Sequence, residues 1–354
     1  METRLARARA YLSDGLDALL LVSRPNILWV TGFTGTDAAL IITSDQVRLF
    51  VDSRYTVQAE LETSYDVQEI SQKWEEIGLF LTERKISRIG FESNILDYDM
   101  ATKLKEIFSG VELVPAGSML RDLRIIKDGV EVRKIVQAAE ISEKVMKSIL
   151  EKGIIGRTER DVAIEIEYEM RRSGADGPSF ETIVASGPRS AMPHASPTDK
   201  IIGRKEAVVF DFGCIYEGYC SDQTVTVFTG EPDAEFKDVY AKVWKAQQRA
   251  IEGIAPGKKA SDIDALARGY LDENGLEHCY GHGTGHGVGM EVHEPPAISP
   301  RSGDSIRQGM VITIEPAAYF EGRYGIRIED CLFVTDSSCK HLTNIAKGAI
   351  IIAD

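Results

Sequence analysis

The sequence predicts an α+β protein in two parts, an α/β domain followed by a domain with an antiparallel sheet. In the first part, short apolar runs alternate with amphipathic helical patterns, which is typical of α/β structure. A Pro-Ala-Gly-Ser turn cluster then interrupts the pattern at 115–118, and strands with two helical interruptions dominate after residue 208. At 354 residues the chain can form two domains with separate cores.

The first part opens with a charged amphipathic helix over residues 2–12, which ends at a Ser-Asp-Gly turn. Its predicted strands are Ala18–Val22, Asn26–Gly32, Ala38–Thr43, Val47–Val51, Val67–Ile70, Arg88–Phe91 and Val111–Val114, and its further helices are Thr56–Leu61, 75–85 and 98–108. None of these segments carries a metal-binding, nucleophile or phosphate-binding motif. We therefore expect a scaffold or a substrate-gating domain.

The second part begins with a long amphipathic helix over Val130–Glu151, in which apolar residues recur at helical spacing. Thr158 is a suitable N-cap for a second helix that runs to Arg172. A strand over 180–187 then leads into a loop that holds His194. Two later helices are predicted at 234–252 and 261–274.

Composition indicates an ordinary globular protein, with 43% hydrophobic and 27% charged residues. The net charge of −14 argues against binding to nucleic acid or to an anionic membrane. The apolar run at 18–22 is too short to span a bilayer. Five cysteines without a C-x-x-C pair predict free thiols in a reducing compartment, so we expect a cytoplasmic protein.

A glycine-spaced run over 281–289, followed by His293, holds or adjoins four of the six histidines of the chain. Histidine binds metals and exchanges protons near neutral pH, and alternating glycines let a ligand approach the backbone. The spacing G-x-G-x-G differs from a dinucleotide-binding fingerprint, and the helical zinc motif H-E-x-x-H is absent. The acidic residues on either side of the run decide whether the cluster is functional.

Two aspartates belong to a predicted hairpin whose turn is Glu217-Gly218. If the turn is centred between those residues, position 222 lies opposite position 213, so Asp211 and Asp222 project from one face. An aspartate that follows Val-Val-Phe in a buried strand needs a cation, an arginine or several hydrogen bonds. The predicted strands are Ala207–Gly213 and Tyr219–Phe228.

A second pair of acid-bearing strands follows, Val311–Pro316 with Glu315 and Gly325–Asp330 with Glu329. Four carboxylates and one histidine carry about four negative charges, which two divalent cations would neutralise. Two metals roughly 3.5–4 Å apart can share a water and lower its pKa. Oxygen-rich ligation with one nitrogen suits Mn or Co, with Zn as the alternative.

Each acid also has a structural interpretation, because a single acid at a strand end is more often an ion-pair partner. Asp222 and Asp330 could be ordinary ion-pair partners, and Arg327 could pair with an acid near Glu329. Four acids at strand ends, together with the histidines of the glycine-spaced run over 281–289 (the histidine run), favour a dinuclear metal site.

These residues resemble the dinuclear metallopeptidases of the pita-bread fold (family M24). The similar motifs are Asp211-Phe-Gly, Ser221-Asp-Gln-Thr224, Gly283-Thr-Gly-His286-Gly, Ile314-Glu315-Pro316 and Arg327-Ile-Glu-Asp330. The segments Asn26–Phe33 and Asp52–Tyr55 resemble the creatinase-type N-terminal domain of the proline-specific branch, the Xaa-Pro dipeptidases (prolidases) and Xaa-Pro aminopeptidases. The resemblance implies a creatinase-like domain over 1–122 and a pita-bread catalytic domain over 123–354.

The resemblance implies a role for each matching position. The metal ligands would be Asp211, Asp222, His286, Glu315 and Glu329. Asp222 and Glu329 would bridge both ions, and Glu315 would also be the general base for the metal-bridging water or hydroxide. His194 and His293 would steady the tetrahedral intermediate, His282 would belong to the pocket wall, and Arg327 would hold the acids.

The implied substrates are small peptides with proline at the second position, cleaved by a metallo-exopeptidase that is a homodimer. Val225 and Ala317 depart from the arginine and glycine that many members have there. Two alternatives stay open: a non-catalytic peptide-binding relative, and a creatinase-like amidinohydrolase without metals. Dipeptidase and aminopeptidase activities are not separated by the sequence, and His278 receives no role.

Overall fold

The computed structural model describes residues 2–347 and 350–352. The chain divides between Arg124 and Ile125 into two compact units. Within the described residues, no helix is long and apolar enough to cross a membrane.

The first unit contains a six-stranded mixed sheet in the order β4-β3-β2-β1-β5-β6. Strands β1, β2 and β3 pair antiparallel, whereas β3/β4, β1/β5 and β5/β6 are parallel. The strands are β1 Ala18–Leu21, β2 Ala39–Thr43, β3 Val47–Val51, β4 Asp66–Glu69, β5 Arg88–Phe91 and β6 Glu112–Pro115, and the helices are α1 Glu2–Ala10, α2 Arg24–Thr31, α3 Thr56–Glu62, α4 Lys73–Glu83, α5 Tyr98–Ile107 and α6 Gly117–Arg121.

The predicted strand over Asn26–Gly32 is wrong, because Arg24–Thr31 forms helix α2. Local signals that start and stop helices override its short apolar pattern. The Ser23 side chain accepts a hydrogen bond from the Asn26 N–H, and Pro25 lies in the first turn. Gly32 ends the helix with φ 81°, in the left-handed conformation that glycine adopts without strain.

Within the described residues, the second unit contains four α-helices and four sheets, and its strand pairs are antiparallel except for the parallel pair β12/β20. Its helices are α7 Gly129–Lys152, α8 Glu159–Arg172, α9 Ala234–Glu252 and α10 Ala260–Glu273. Its strands are β7 Gly177–Pro178, β8 Ile183–Ser186, β9 Ala207–Phe212, β10 Cys214–Tyr216, β11 Tyr219–Cys220, β12 Gln223–Thr229, β13 Gly285–Gly287, β14 Glu294–Ile298, β15 Val311–Ile314, β16 Ala317–Phe320, β17 Tyr324–Arg327, β18 Asp330–Val334, β19 Cys339–His341 and β20 Ile350–Ile352.

Two helix pairs cover the strands that carry the acids. Helices α7 and α8 pack on β9 and β12, where Phe210 and Val225 belong to one apolar cluster. Helices α9 and α10 pack on β15 to β18, where Ile312 and Ile326 belong to another. Each fully buried side chain of this size contributes about 1.5–3 kcal/mol. The acids therefore extend from strands that both cores hold in place.

Candidate metal centre

The hairpin that carries Asp211 and Asp222 keeps one register along its length. Asp211 pairs with Thr224 near one end, and Ile215 pairs with Cys220 near the turn. Position 213 therefore falls opposite Asp222, so the predicted register is confirmed. Both aspartates line the same cavity.

The second hairpin is bent at its two glutamates. The predicted strand over Val311–Pro316 is confirmed as far as Ile314, whereas the predicted continuous strand over Gly325–Asp330 is wrong because it is interrupted at 328–329. Ile314 pairs with Asp330 on one side of the bend, and Ala317 pairs with Arg327 on the other. These pairings place Glu315 opposite Glu329 in the gap. Pro316 has no N–H to donate to a ladder, which accounts for the break on one strand.

The bend joins three segments of the chain through backbone hydrogen bonds. The N–H of Glu315 donates to the carbonyl of Thr284 at 2.7 Å, and the N–H of Glu329 donates to the carbonyl of Thr224 at 3.1 Å. The histidine run and the first hairpin thus fix the backbone at both glutamates. All four acids line one cavity of about 500 Å³.

His286 lies on β13 with one ring nitrogen bonded to the backbone. Its Nδ1–H donates to the carbonyl of Gly287 at 3.0 Å, which leaves the Nε2 lone pair free to bind a metal. Nε2 lies 3.4 Å from Asp222 Oδ2 and 3.7 Å from Glu315 Oε1. Burial, followed by the neighbouring His293, lowers the pKa of His286 to about 4. The ring is therefore held in the neutral form that metals bind.

Asp222, His286 and Glu329 each offer a ligand atom, and these atoms lie within 4.8 Å of one another. Burial, and then repulsion from Glu329, raises the pKa values of Asp222 and Glu315 well above the usual range. Burial and the charge of Asp211 raise the pKa of Glu329 to about 7. Buried carboxylates this close together repel one another and are stabilised by a cation.

Asp211 has one oxygen bonded to the protein and one without a partner. Its Oδ2 lies 2.6 Å from Arg327 Nη2. Its Oδ1 is buried and accepts no hydrogen bond from any residue that the structure describes. Buried polar atoms are nearly always satisfied, so this oxygen fits an external ligand. Carboxylate oxygens with one imidazole nitrogen form a donor set that suits a divalent metal.

The remaining predicted histidines line the wall of the cavity. His194 and His293 are exposed to it, and the His293 ring centroid lies 4.4 Å from that of His286. His282 Nε2 lies 3.1 Å from the Tyr319 hydroxyl, and burial lowers its pKa to about 4. His278 is exposed and does not line the cavity.

The sequence did not predict a role for two side chains of the site, those of Thr224 and Tyr319. The Thr224 hydroxyl donates to Glu329 Oε2 at 2.7 Å, and the Tyr319 hydroxyl accepts from Arg327 Nη1 at 2.8 Å. Thr224 lies in the Ser-Asp-Gln-Thr motif, which could have indicated it. Tyr319 follows the bend by four positions in an apolar strand, and no sequence signal distinguishes it.

Gly283 and Gly285 line the cavity, as expected for a backbone that is open to a ligand. The glycine run also packs closely against neighbouring protein, which was not expected. A Cβ atom at Gly285 would collide with the carbonyl of Thr313, and one at Gly287 would collide with that of Pro295. Strand β13 lies between β14 and β15, and the missing side chains permit this close approach.

Four carboxylates and one histidine around one cavity, on this fold, define a metal-dependent peptidase. The chain belongs to metallopeptidase family M24, whose model matches residues 133–336. The creatinase/prolidase N-terminal domain matches residues 4–126. The predicted family, the two-part α+β fold and the metallo-exopeptidase class are confirmed.

Three similar proteins span almost the whole chain. The Xaa-Pro dipeptidase of Pyrococcus horikoshii is 36% identical over 338 residues, 95% of each chain. The structure of an Xaa-Pro dipeptidase from Bacillus anthracis has a TM-score of 0.95 at 35% identity and covers 99% of each chain. The structure of an X-Pro aminopeptidase from Thermotoga maritima has a TM-score of 0.92 at 35% identity and covers 99% of this chain and 100% of that one.

Proposed function

We propose that this chain hydrolyses the peptide bond between an N-terminal residue and proline with two divalent metal ions. The observation that carries the proposal is that one cavity is lined by Asp211, Asp222, His286, Glu315 and Glu329. Relatives that align over nearly the full chain and carry Xaa-Pro peptidase names support the substrate class. A non-catalytic binding module would not require five potential metal ligands around one cavity.

Asp211, Asp222, His286, Glu315 and Glu329 would hold the two ions. The proximity of Asp222, His286 and Glu329 supports this ligand set, as does the unpartnered oxygen of Asp211. The ions, when bound, would lower the pKa of a water molecule and polarise the scissile carbonyl. We propose Mn or Co in preference to Zn because a single nitrogen ligand accompanies the carboxylates.

The protein side chains would handle the proton and the developing charge. Glu315 would take the proton of the attacking water and return it to the proline nitrogen as the C–N bond breaks. His194 and His293, exposed in the cavity wall, would donate hydrogen bonds to the oxygen that becomes negative. Arg327 would keep Asp211 oriented through their 2.6 Å contact. A homodimer and a cytoplasmic location are further parts of this proposal.

Removal of metal tests the proposal. After dialysis against a chelator, we expect hydrolysis of Ala-Pro-Ala to disappear and to return on addition of Mn²⁺ or Co²⁺. Ala-Ala-Ala serves as the control substrate and should be cleaved far more slowly. An unchanged circular dichroism spectrum would show that the chelated protein stays folded. Full activity after chelation would contradict the metal-dependent mechanism.

A further inference from the structure

The cavity contains one permanent cation, Arg327, among the lining residues that the structure describes. A dipeptide substrate carries a free carboxylate on its proline, whereas a longer peptide carries a neutral amide at the same place. In an Xaa-Pro dipeptide, the carboxylate belongs to the residue directly after the scissile bond. It must therefore enter the cavity, where an unpaired charge is costly.

Arg327 is already engaged by the protein. It donates to Asp211 Oδ2 at 2.6 Å, to the Tyr319 hydroxyl at 2.8 Å, to the carbonyl of Pro193 at 3.0 Å and to the Thr224 hydroxyl at 3.2 Å. These bonds use four of the five N–H groups of a guanidinium. Only 3% of the residue is exposed. One N–H, on Nη2, is left over, so two-point binding of a substrate carboxylate would require Arg327 to give up one of these bonds.

The cavity also has an acid that the proposed metal site does not use. Glu181 lines the cavity, is exposed, and forms no ion pair with a described residue. The other four lining acids are the proposed ligands, and two divalent cations would offset their charge. Glu181 then adds a negative charge that repels a carboxylate and leaves a neutral amide unaffected.

We propose that this cavity disfavours a free carboxylate on the proline and selects Xaa-Pro peptides that continue beyond it. This inference rests on the proposed Xaa-Pro hydrolysis and adds the substrate length. In a longer peptide, the group after proline is a neutral amide. Ser196 and Ser299 line the cavity and can bond such an amide without a cation. The cavity volume of about 500 Å³ lies in the range of sites that enclose small ligands.

Three substrates of matched sequence separate charge from length: Ala-Pro, the amide Ala-Pro-NH₂, and Ala-Pro-Ala. With the full-length, Mn-loaded enzyme we expect kcat/KM for the amide and the tripeptide to exceed that for Ala-Pro at least about tenfold. Equal or faster cleavage of Ala-Pro would overturn this inference. Absence of cleavage of all three would instead contradict the proposed function.

Glu181→Gln tests the origin of the selectivity within the protein. We expect it to raise kcat/KM for Ala-Pro several-fold and to leave the value for Ala-Pro-NH₂ unchanged. Glu140→Gln removes an equivalent charge from an exposed position of α7 outside the cavity lining and should change neither value. Binding of the same ligands to Glu315→Gln by calorimetry gives a readout without turnover. Equal effects of the two charge variants on Ala-Pro would overturn the role of Glu181.

Discussion

At the scale of the single residue, Glu315 owes its proposed role to the break in its strand. Its backbone N–H bonds to Thr284, and its side chain lies 3.7 Å from His286 Nε2. A carboxylate in this position can both bind a cation and accept a proton. An amide retains the shape but cannot accept the proton.

We therefore expect Glu315→Gln to lower kcat for Ala-Pro-Ala by at least about 10²–10⁴ while the protein stays folded. The measurement is steady-state hydrolysis with excess Mn²⁺, accompanied by thermal unfolding. Glu321→Gln, at an exposed position of the turn between β16 and β17, is the matched control. Turnover retained in Glu315→Gln would rule out the general-base assignment.

Arg327 compensates the negative charge of Asp211, which it contacts at 2.6 Å. Arg327→Met leaves that carboxylate without its partner. Breaking a buried pair of this kind costs about 3–5 kcal/mol. We expect a loss of that size in the free energy of unfolding of the chelated protein, measured with urea, and a smaller loss with Mn²⁺ present. A loss that is independent of metal would show that Arg327 does not support the acids.

At the scale of structural elements, the loop that carries His194 is held by one buried glutamate. Glu159, at the start of α8, accepts hydrogen bonds from the Ser186 N–H and hydroxyl, the Thr198 N–H and hydroxyl, and Arg189 Nε. It therefore joins the entry and the exit of the loop 187–198. Burial opposes ionisation of Glu159, but these hydrogen bonds outweigh it and lower its pKa below the ordinary 4.5.

A lowered pKa in the folded state makes the stabilisation by Glu159 depend on pH. The contribution is fully present above pH 4.5, the ordinary value, and is lost as the pH falls through the lower pKa of the folded state. The difference in unfolding free energy between wild type and Glu159→Gln should be constant above pH 4.5 and shrink below it. Chemical denaturation at several pH values measures it. A difference that grows in acid would contradict the account.

A second element, helix α10, fixes the backbone of the histidine run through hydrogen bonds of Asp264 and Arg268. Asp264 accepts from the Thr284 hydroxyl at 2.6 Å and forms two bonds with Arg268. Arg268 in turn donates to the carbonyls of Tyr280 and His282. The backbone that presents His282 and His286 is therefore attached to a helix rather than free.

We expect Asp264→Asn to loosen this segment, because an asparagine presents one acceptor oxygen where two are used. Leaving a buried donor unpaired costs about 1–3 kcal/mol. Hydrogen exchange of the amides over 280–286 should accelerate, with exchange in the first unit unchanged. Asp262→Asn, an exposed position in the first turn of the same helix, is the control. Equal acceleration of hydrogen exchange in both variants would show that Asp264 has no specific role in holding this segment.

At the scale of the whole molecule, the sequence predicted most helices and strands and the register of the first acid hairpin. That success depends on period-two alternation and a tight Glu-Gly turn, which are local properties. Contacts between distant segments were not predictable in this way. The bend at Glu315, the Tyr319 contact with Arg327, and the buried pair of Lys127 with Glu294, 167 positions apart, arise only when the sheets assemble.

Short local patterns also account for the wrong strand prediction over Asn26–Gly32 and for the incomplete interpretation of the glycine run. In the first case capping residues outweighed a short apolar pattern. In the second, glycine spacing is compatible with a ligand, a neighbouring strand or both, and only the tertiary structure shows that the run borders the cavity and also two strands. The family resemblance supplied the ligand set that local patterns left open.

The two hairpins and the histidine run should together bind two metal ions for hydrolysis of an Xaa-Pro bond. The most direct measurement titrates the chelated enzyme with Mn²⁺ and follows both bound metal and cleavage of Ala-Pro-Ala. Bound metal should saturate at about two ions per chain, with full activity at that point. Saturating activity without stoichiometric metal, or two bound ions without cleavage of any Xaa-Pro peptide, would contradict the account.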